Sequence, residues 1–379
     1  MIYKDFKGEK LSALGLGTMR FPTIDGDDSR VDMNKTAELV DRAIVGGVNY
    51  FDTAWGYHGG TSESVMGELL SAYPRKSIKL ATKFPGFSED TFKEKENVFS
   101  RQLEKCRVDY FDFYLFHNVW EKNIEWFLSP EFGVVDYIKE QKREGKIRHL
   151  GFSTHGSIET VRRFLDALGD EIEFVQVQLN YLDYTLQDAK AKVGLAKERN
   201  IPVWVMEPLR GGKLATLSEE NAKLLKALRP NESIPAWGFR WLQTQSEVGV
   251  VLSGMSDMAQ IEENIRIFSE EKPLDKKELE VLYEVVGNMT SAPSFLCTAC
   301  RYCTSQCPRE LDIPRLIKLH NEHSLFGGWM APSAIKDMDE DKRPSACIGC
   351  RACEAVCPQK IEISDVLSDF AKKLDYKEE

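Results

Sequence analysis

The chain has 379 residues, 42% of them hydrophobic and 29% charged, and its 50 Lys and Arg stand against 60 Asp and Glu for a formal charge of −10. An acidic chain with no dense basic run presents no face to a phosphate backbone, which excludes nucleic acid as the expected partner. No stretch approaches the ~18 apolar residues that a membrane helix needs, and the charged start Met1-Ile2-Tyr3-Lys4-Asp5-Phe6-Lys7 lacks the apolar run of a secretory signal. A cytoplasmic protein without membrane contact is therefore expected.

In chain order, residues 3–11 read as a small hairpin turning at Lys7-Gly8 and placed to cap a barrel floor. From residue 11 to about 270, short β-rich runs alternate with longer stretches of helical period. Strands are expected at 14–17, 48–52, 78–83, 111–117, 147–153, 174–178, 201–206 and 248–252. Helices are expected between them at 34–46, 62–71, 91–106, 134–144, 158–168 and 187–199. Eight strand-then-helix units in one run imply right-handed parallel crossovers closing into a (β/α)8 TIM barrel of the α/β class. The open dinucleotide-binding sheet is the competitor, but the first strand runs Gly15-Leu16-Gly17-Thr18-Met19-Arg20 and lacks the third glycine of that fingerprint.

The composition shifts near Pro273, and Ser291-Ala292-Pro293-Ser294 reads as a linker. The expected division is a barrel over 1–285 and a small, mainly helical domain over 290–379. The second domain carries an internal repeat of period 50. Both halves read C-x2-C-x2-C-x3-C-P, as Cys297, Cys300, Cys303, Cys307, Pro308 and Cys347, Cys350, Cys353, Cys357, Pro358. Zinc needs four ligands and rarely uses two identical runs of four ending in proline. Three thiolates at i, i+3 and i+6 can wrap one corner of an iron–sulfur cube, while the fourth usually reaches the neighbouring cube. Two 4Fe-4S clusters are thus expected with crossed ligands: Cys297, Cys300, Cys303 and Cys357 on one, and Cys347, Cys350, Cys353 and Cys307 on the other. The inserted segment 313–323 looks helical, so the arrangement resembles the helical ferredoxin type, with His320 and His323 read as polar helix-face residues. Cys106 reads as a small core residue.

At the C-terminal ends of the barrel strands, where such barrels collect their chemistry, stand Asp52, Lys83 and His117, with Tyr57 in the loop after the second strand. A phenol is a poor acid at neutral pH unless an ammonium stabilises its phenolate. Lys83 can lower the Tyr57 pKa, Asp52 can hold Lys83 charged, and His117 can polarise a carbonyl oxygen while Tyr57 delivers a proton.

Through Leu16-Gly17-Thr18, Phe51-Asp52-Thr53-Ala54-Trp55-Gly56-Tyr57, Ala81-Thr82-Lys83, Leu115-Phe116-His117 and Gly151-Phe152-Ser153, roughly residues 1–275 resemble the aldo/keto reductase superfamily. That resemblance implies reversible NAD(P)H-dependent reduction of a small carbonyl substrate to an alcohol, with Asp52, Tyr57, Lys83 and His117 as the catalytic set. It further implies that Gly17, Thr18 and Met19 meet the cofactor, and it puts the nicotinamide carboxamide near Ser153 and Gln178, with Met206 against the ring. The pyrophosphate falls beside Pro208, Leu209 and the residues up to Lys213. The adenosine end falls beside Gly254, Met255 and Ser256, with Gln260, Glu263 and Asn264 on the following helix.

Members preferring NADPH place Lys or Arg around that last loop. The segment 254–264 has none and carries Asp257, Glu262 and Glu263, so a 2′-phosphate would lack its usual partner and the expectation leans to NADH, with Arg210 or Lys213 able to swing in. The appended domain is expected to shape the substrate pocket, with Trp55 and Trp120 as candidate walls. Three functional readings follow: an oxidoreductase coupling hydride chemistry to one-electron traffic through the clusters, with an external electron carrier; a carbonyl reductase whose clusters are structural or sensing; and a non-catalytic, nucleotide-responsive subunit of a redox complex.

Overall fold

A computed structural model describes residues 1–186, 188–290, 295, 297 and 300–375. The candidate linker 291–294 lies outside the described residues, as does Gln187 at the start of one expected helix. The chain divides into two compact units, Met1–Glu280 and Val281–Glu379.

In the first unit, β1 (Tyr3–Phe6) and β2 (Glu9–Ser12) form the antiparallel hairpin, with Lys7 and Gly8 both at positive φ in the turn. The closed barrel is built from β3 (Leu14–Gly17), β6 (Tyr50–Asp52), β7 (Lys79–Phe84), β8 (Phe111–Phe116), β9 (Ile147–Thr154), β10 (Phe174–Gln178), β11 (Val203–Met206) and β12 (Val248–Ser253), all pairing parallel. All eight strands expected from the sequence are present. A second hairpin, β4 (Thr23–Ile24) with β5 (Asp27–Val31), follows the first barrel strand and was not foreseen.

The alternation of strand residues sends Tyr50, Ala81, Phe113, Leu115, Phe174, Trp204, Val250 and Leu252 to the barrel interior, where Phe6 and Leu11 of the first hairpin join them. The Phe6 ring meets the Trp204 ring at 5.1 Å and the Phe113 ring at 5.8 Å, so an aromatic plug of high buried area closes the floor. Gly15 also faces inward: a Cβ there would stand 2.8 Å from Leu252 Cδ2 and 3.2 Å from Tyr50 Cδ1, so the large tyrosine requires the small neighbour.

Around the barrel, helices start at side-chain caps: Asp32 for Met33–Val45, Ser157 for Ile158–Leu168 and Asp257 for Met258–Ile267. The single helix expected over 91–106 is two, Glu89–Lys93 and Lys95–Cys106, because Glu94 leaves helical geometry between them. Cys106 is buried, and burial raises its thiol pKa well above the usual value.

The second unit packs helix Ile313–Phe326 against helix Ile363–Asp375 over a core that includes Leu311, Ile313, Ile317, Ile363, Val366 and Phe370. Residue for residue, the exposure pattern of 301–310 is that of 351–360, so the period of 50 is structural as well as sequential. His320 and His323 do not lie on a polar face. Both are buried, and a His320 ring nitrogen is 2.7 Å from Asp369 Oδ2 on the partner helix, a pairing no local pattern encodes. Among the described residues no helix is long and apolar enough to cross a membrane.

Candidate functional site

Because all eight strands are parallel, their C-terminal ends share one rim. Asp52 ends β6, Lys83 is next to last in β7, and His117 follows β8 with its backbone N–H on the Phe84 carbonyl at 3.1 Å. The fully buried Lys83 ammonium donates to Asp52 Oδ1 at 2.7 Å, to the Thr53 carbonyl at 2.8 Å and to Tyr57 Oη at 3.3 Å. Its three protons therefore have three acceptors. The Tyr57 and His117 rings meet edge to face with centroids 6.0 Å apart. The four residues singled out from the sequence are brought together.

The support behind them is invisible in the sequence. Gln102 Nε2 donates to the Lys83 carbonyl at 2.9 Å and to Glu63 Oε1 at 2.7 Å, while the Tyr114 hydroxyl donates to Gln102 Oε1 at 2.6 Å. Thr18 and Thr53 hydroxyls both bond the Ser62 hydroxyl, at 2.8 and 2.9 Å. On their helices Gln102, Glu63 and Ser62 carry no local mark separating them from solvent-facing residues.

Electrostatics correct one expectation. Burial raises the Tyr57 pKa above its usual value, and Lys83 offsets that rise without reversing it. Burial also raises Asp52, opposed by Lys83. His117 is pushed well below the usual histidine range, first by burial and then by Lys83 and His155, so its ring is neutral near pH 7. The site thus holds a protonated phenol beside a neutral imidazole and a buried ion pair.

On the expected nucleotide side, Ser153 Oγ accepts the Asn118 N–H at 2.9 Å. Gln178 Nε2 donates to Asp183 Oδ2 at 2.7 Å, and Gln178 Oε1 is buried with no hydrogen-bond partner among the described residues. A buried amide oxygen of this kind fits a carboxamide N–H, so the residues present suit a nicotinamide. Met206, partly exposed at the end of β11, has its sulfur 3.8 Å from Gln176 Nε2. Pro208 is buried and Leu209 partly so.

Gly17 is partly exposed, Thr18 buried and Met19 exposed. Gly254 is exposed and Met255 is in the core, so the latter has only its backbone to offer. Ser256 N–H donates to Gln260 Oε1 at 2.9 Å, Asn264 Nδ2 donates to Ser253 Oγ at 3.2 Å, and Glu263 pairs with Arg266 at 3.6 Å. These side chains brace the loop and the helix that follows.

Arg210 cannot swing in. It is buried, and its Nε donates to Asp183 Oδ1 at 3.0 Å. The basic residue that sequence reasoning missed is Arg20. Its stem lies on Gly254, its guanidinium abuts Gly211, and its carbonyl accepts from Ser256 Oγ at 2.7 Å. The Lys105 ammonium lies 4.1 Å from the Trp55 ring centroid, and the Lys122 ammonium 5.0 Å from that of Trp120.

In the second unit the cysteines line two small cavities. One is lined by Cys297, Cys300, Cys303 and Cys357, the other by Cys307, Cys347, Cys350 and Cys353. Each set takes three cysteines from one run and the fourth from the other. The Cys303 and Cys353 thiols are raised to about 11, chiefly by burial, with Cys297 adding to the rise at the first and Glu354 at the second. Crowded, desolvated sulfurs of this kind suit a cationic iron–sulfur core that would stabilise them as thiolates.

Residues 13–286 match the aldo/keto reductase family, and residues 296–362 match the 4Fe-4S dicluster domain. An NADH-specific methylglyoxal reductase of Escherichia coli is 25% identical over 304 residues, covering 67% of this chain and 89% of that protein. An L-galactose dehydrogenase of Arabidopsis thaliana is 26% identical over 315 residues, covering 75% and 94%. The holo form of an aldo-keto reductase from Bacillus halodurans has a similar fold, with a TM-score of 0.62 at 23% identity over 75% of this chain and 96% of that one. The chain therefore belongs to the aldo/keto reductase family of oxidoreductases and carries a C-terminal 4Fe-4S ferredoxin-type domain.

Proposed function

We propose that the protein reduces a small carbonyl compound to an alcohol, reversibly, with NADH preferred over NADPH, and that its two clusters exchange single electrons with an external carrier. The observation that carries the first part is the Lys83 ammonium held between Asp52 at 2.7 Å and Tyr57 at 3.3 Å beside a neutral His117. Bound nicotinamide supplies a hydride to the carbonyl carbon. His117 donates an N–H to the carbonyl oxygen, Tyr57 Oη gives up its proton to that oxygen, and Lys83 stabilises the phenolate left behind. Asp52 keeps Lys83 charged and aimed.

Ser153 and Gln178 Oε1 would hold the carboxamide, Met206 would stand by the ring, and Gly17, Thr18, Met19, Pro208, Leu209, Gly254, Met255 and Ser256 would line the rest of the nucleotide path, with Gln260, Glu263 and Asn264 towards the adenosine end. The lack of a basic side chain in 254–264 and the relative described as NADH-specific both support NADH, while Arg20 is the cation placed to modulate that choice. The crossed cysteine sets are assigned as the cluster ligands. A cytoplasmic setting, where thiols stay reduced, belongs to the same reading.

A second reading has one observation in its favour. Cys303 and Cys353 are buried members of the core of their unit, together with Leu311, Ile313 and Phe370, so the clusters would hold that unit together whether or not electrons pass. Anaerobically purified protein distinguishes the two. With a carbonyl panel, NADH is expected to be oxidised faster than NADPH. Under the first reading a one-electron carrier reversibly bleaches the visible cluster absorption and changes the rate of turnover, while turnover indifferent to the redox state of the clusters leaves them structural. Equal or faster oxidation of NADPH contradicts the nucleotide assignment.

A further inference from the structure

His58, next to Tyr57, is used by nothing above, yet its side chain is almost completely buried and both ring nitrogens are engaged. Nδ1 is 3.0 Å from the Asp28 carbonyl and 3.1 Å from Asp28 Oδ1, on β5 of the unforeseen hairpin. Nε2 is 2.9 Å from the Thr18 carbonyl and 3.2 Å from the Phe21 N–H, at the two ends of the Thr18–Arg20 turn. The Phe21 ring stacks on the imidazole, with centroids 5.9 Å apart and planes 10° from parallel. The His58 backbone sits at φ 53°, and its carbonyl accepts from Thr61 Oγ1 at 2.8 Å. A Cβ on the adjacent Gly59 would come within 3.1 Å of Ser29 Cβ, so the hairpin lies directly on this loop.

One side chain therefore joins three segments that are remote in sequence: the loop bearing Tyr57, the turn bearing Thr18, Met19 and Arg20, and the outer hairpin. We propose that His58 is a positioning residue that fixes the Thr18–Arg20 turn relative to Tyr57, and that Asp28, a surface residue outside the site, governs nucleotide binding by holding the His58 ring. The proposal rests on the reading that the turn meets the nucleotide and that Tyr57 donates the proton. The chain of contacts runs from Asp28 to the His58 ring, to Thr18 and Phe21, and through the Thr18 hydroxyl to Ser62 and Thr53 beside Asp52. A non-glycine residue at positive φ persists where its surroundings over-determine it, and here the Asp28 carbonyl, the Thr18 carbonyl and the Phe21 N–H all lie within hydrogen-bond distance of one ring, with the Asp28 carboxylate beside Nδ1.

Asparagine tolerates the left-handed backbone but is too short to span the same groups, so His58→Asn keeps the loop and cuts the link. In the full-length, cluster-loaded protein His58→Asn is expected to weaken NADH binding about tenfold, the scale of one to two lost hydrogen bonds. Binding is read from NADH fluorescence, with thermal unfolding followed in parallel. Asp28→Ala, whose side chain is 74% exposed and would ordinarily be neutral on removal, is expected to weaken it about threefold with kcat for carbonyl reduction unchanged. The two effects should not add, because both act through one ring.

A lowered melting temperature with unchanged NADH affinity in His58→Asn overturns the proposal, leaving a purely structural histidine. Additive effects of the two substitutions, or an Asp28→Ala protein that binds NADH like the parent, also overturn it. A parent protein that binds no nicotinamide nucleotide fails the underlying reading and this proposal together, whereas a parent that binds beside indistinguishable variants fails this proposal alone.

Discussion

Replacing Tyr57 by Phe is expected to lower the rate of carbonyl reduction by about 10²–10⁴-fold, the range that a positioned proton donor contributes, while leaving NADH binding within about twofold. The substitution removes only an oxygen whose neighbour, Lys83, retains Asp52 and the Thr53 carbonyl as acceptors, so the buried ammonium is not stranded. The expected pH profile follows from the same environment. Since burial outweighs the pull of Lys83 and lifts the phenol above its usual value near 10, the donor stays protonated across the neutral range. Reduction should therefore hold a plateau through neutral pH and fall only once the solution passes the raised phenol pKa. Alcohol oxidation, which needs the phenolate, should rise with pH over the same span. Steady-state rates in both directions check this, and a Tyr57→Phe protein with parental turnover would contradict the role of Tyr57 as proton donor.

The second large effect concerns the crossed cysteine sets. Cys307 lies in sequence with Cys297, Cys300 and Cys303 but lines the cavity of Cys347, Cys350 and Cys353. Iron analysis of Cys307→Ala is expected to fall from about eight atoms per chain to about four. Adding Cys347→Ala should change little, because both cysteines serve the same cube. Adding Cys297→Ala instead should bring iron close to zero. The opposite ordering of those two double variants would mean that each run holds its own cluster. The same experiment weighs the structural role of the clusters: Cys303 and Cys353 are core residues, so a chain stripped of both clusters is expected to lose the helical pairing of Ile313–Phe326 with Ile363–Asp375 as well as its colour.

Much of this architecture is legible in one sequence because the signals are local and repeated. Each barrel strand is a short apolar run followed by a helical period, and the eight candidate ligand cysteines lie within two spans of eleven residues. The candidate set of Asp52, Tyr57, Lys83 and His117 is readable for a related reason, since a barrel collects the residues at its strand ends. What escaped depends on contacts between distant segments. The β4–β5 hairpin is short and mostly exposed, so no apolar alternation marks it. Arg20 reaches Gly211 and Gly254, and Arg210 is fixed by Asp183, only because the closed barrel brings those loops together. The Tyr57 pKa was misjudged because a sequence reveals the neighbouring ammonium but not the depth of burial that competes with it. The buried His320 and His323 were misread for the same reason: Phe370 and Asp369 lie about fifty residues away.

In the proposed reaction the barrel itself carries out hydride reduction, with the proton drawn from Tyr57. It is tested most directly by turning over a carbonyl compound anaerobically with NADH deuterated at the transferable C4 position and analysing the alcohol by mass spectrometry. One deuterium is expected on the former carbonyl carbon in the product of the parent protein, and almost no labelled alcohol from Tyr57→Phe. Alcohol formed without label, accompanied by bleaching of the clusters, would contradict it.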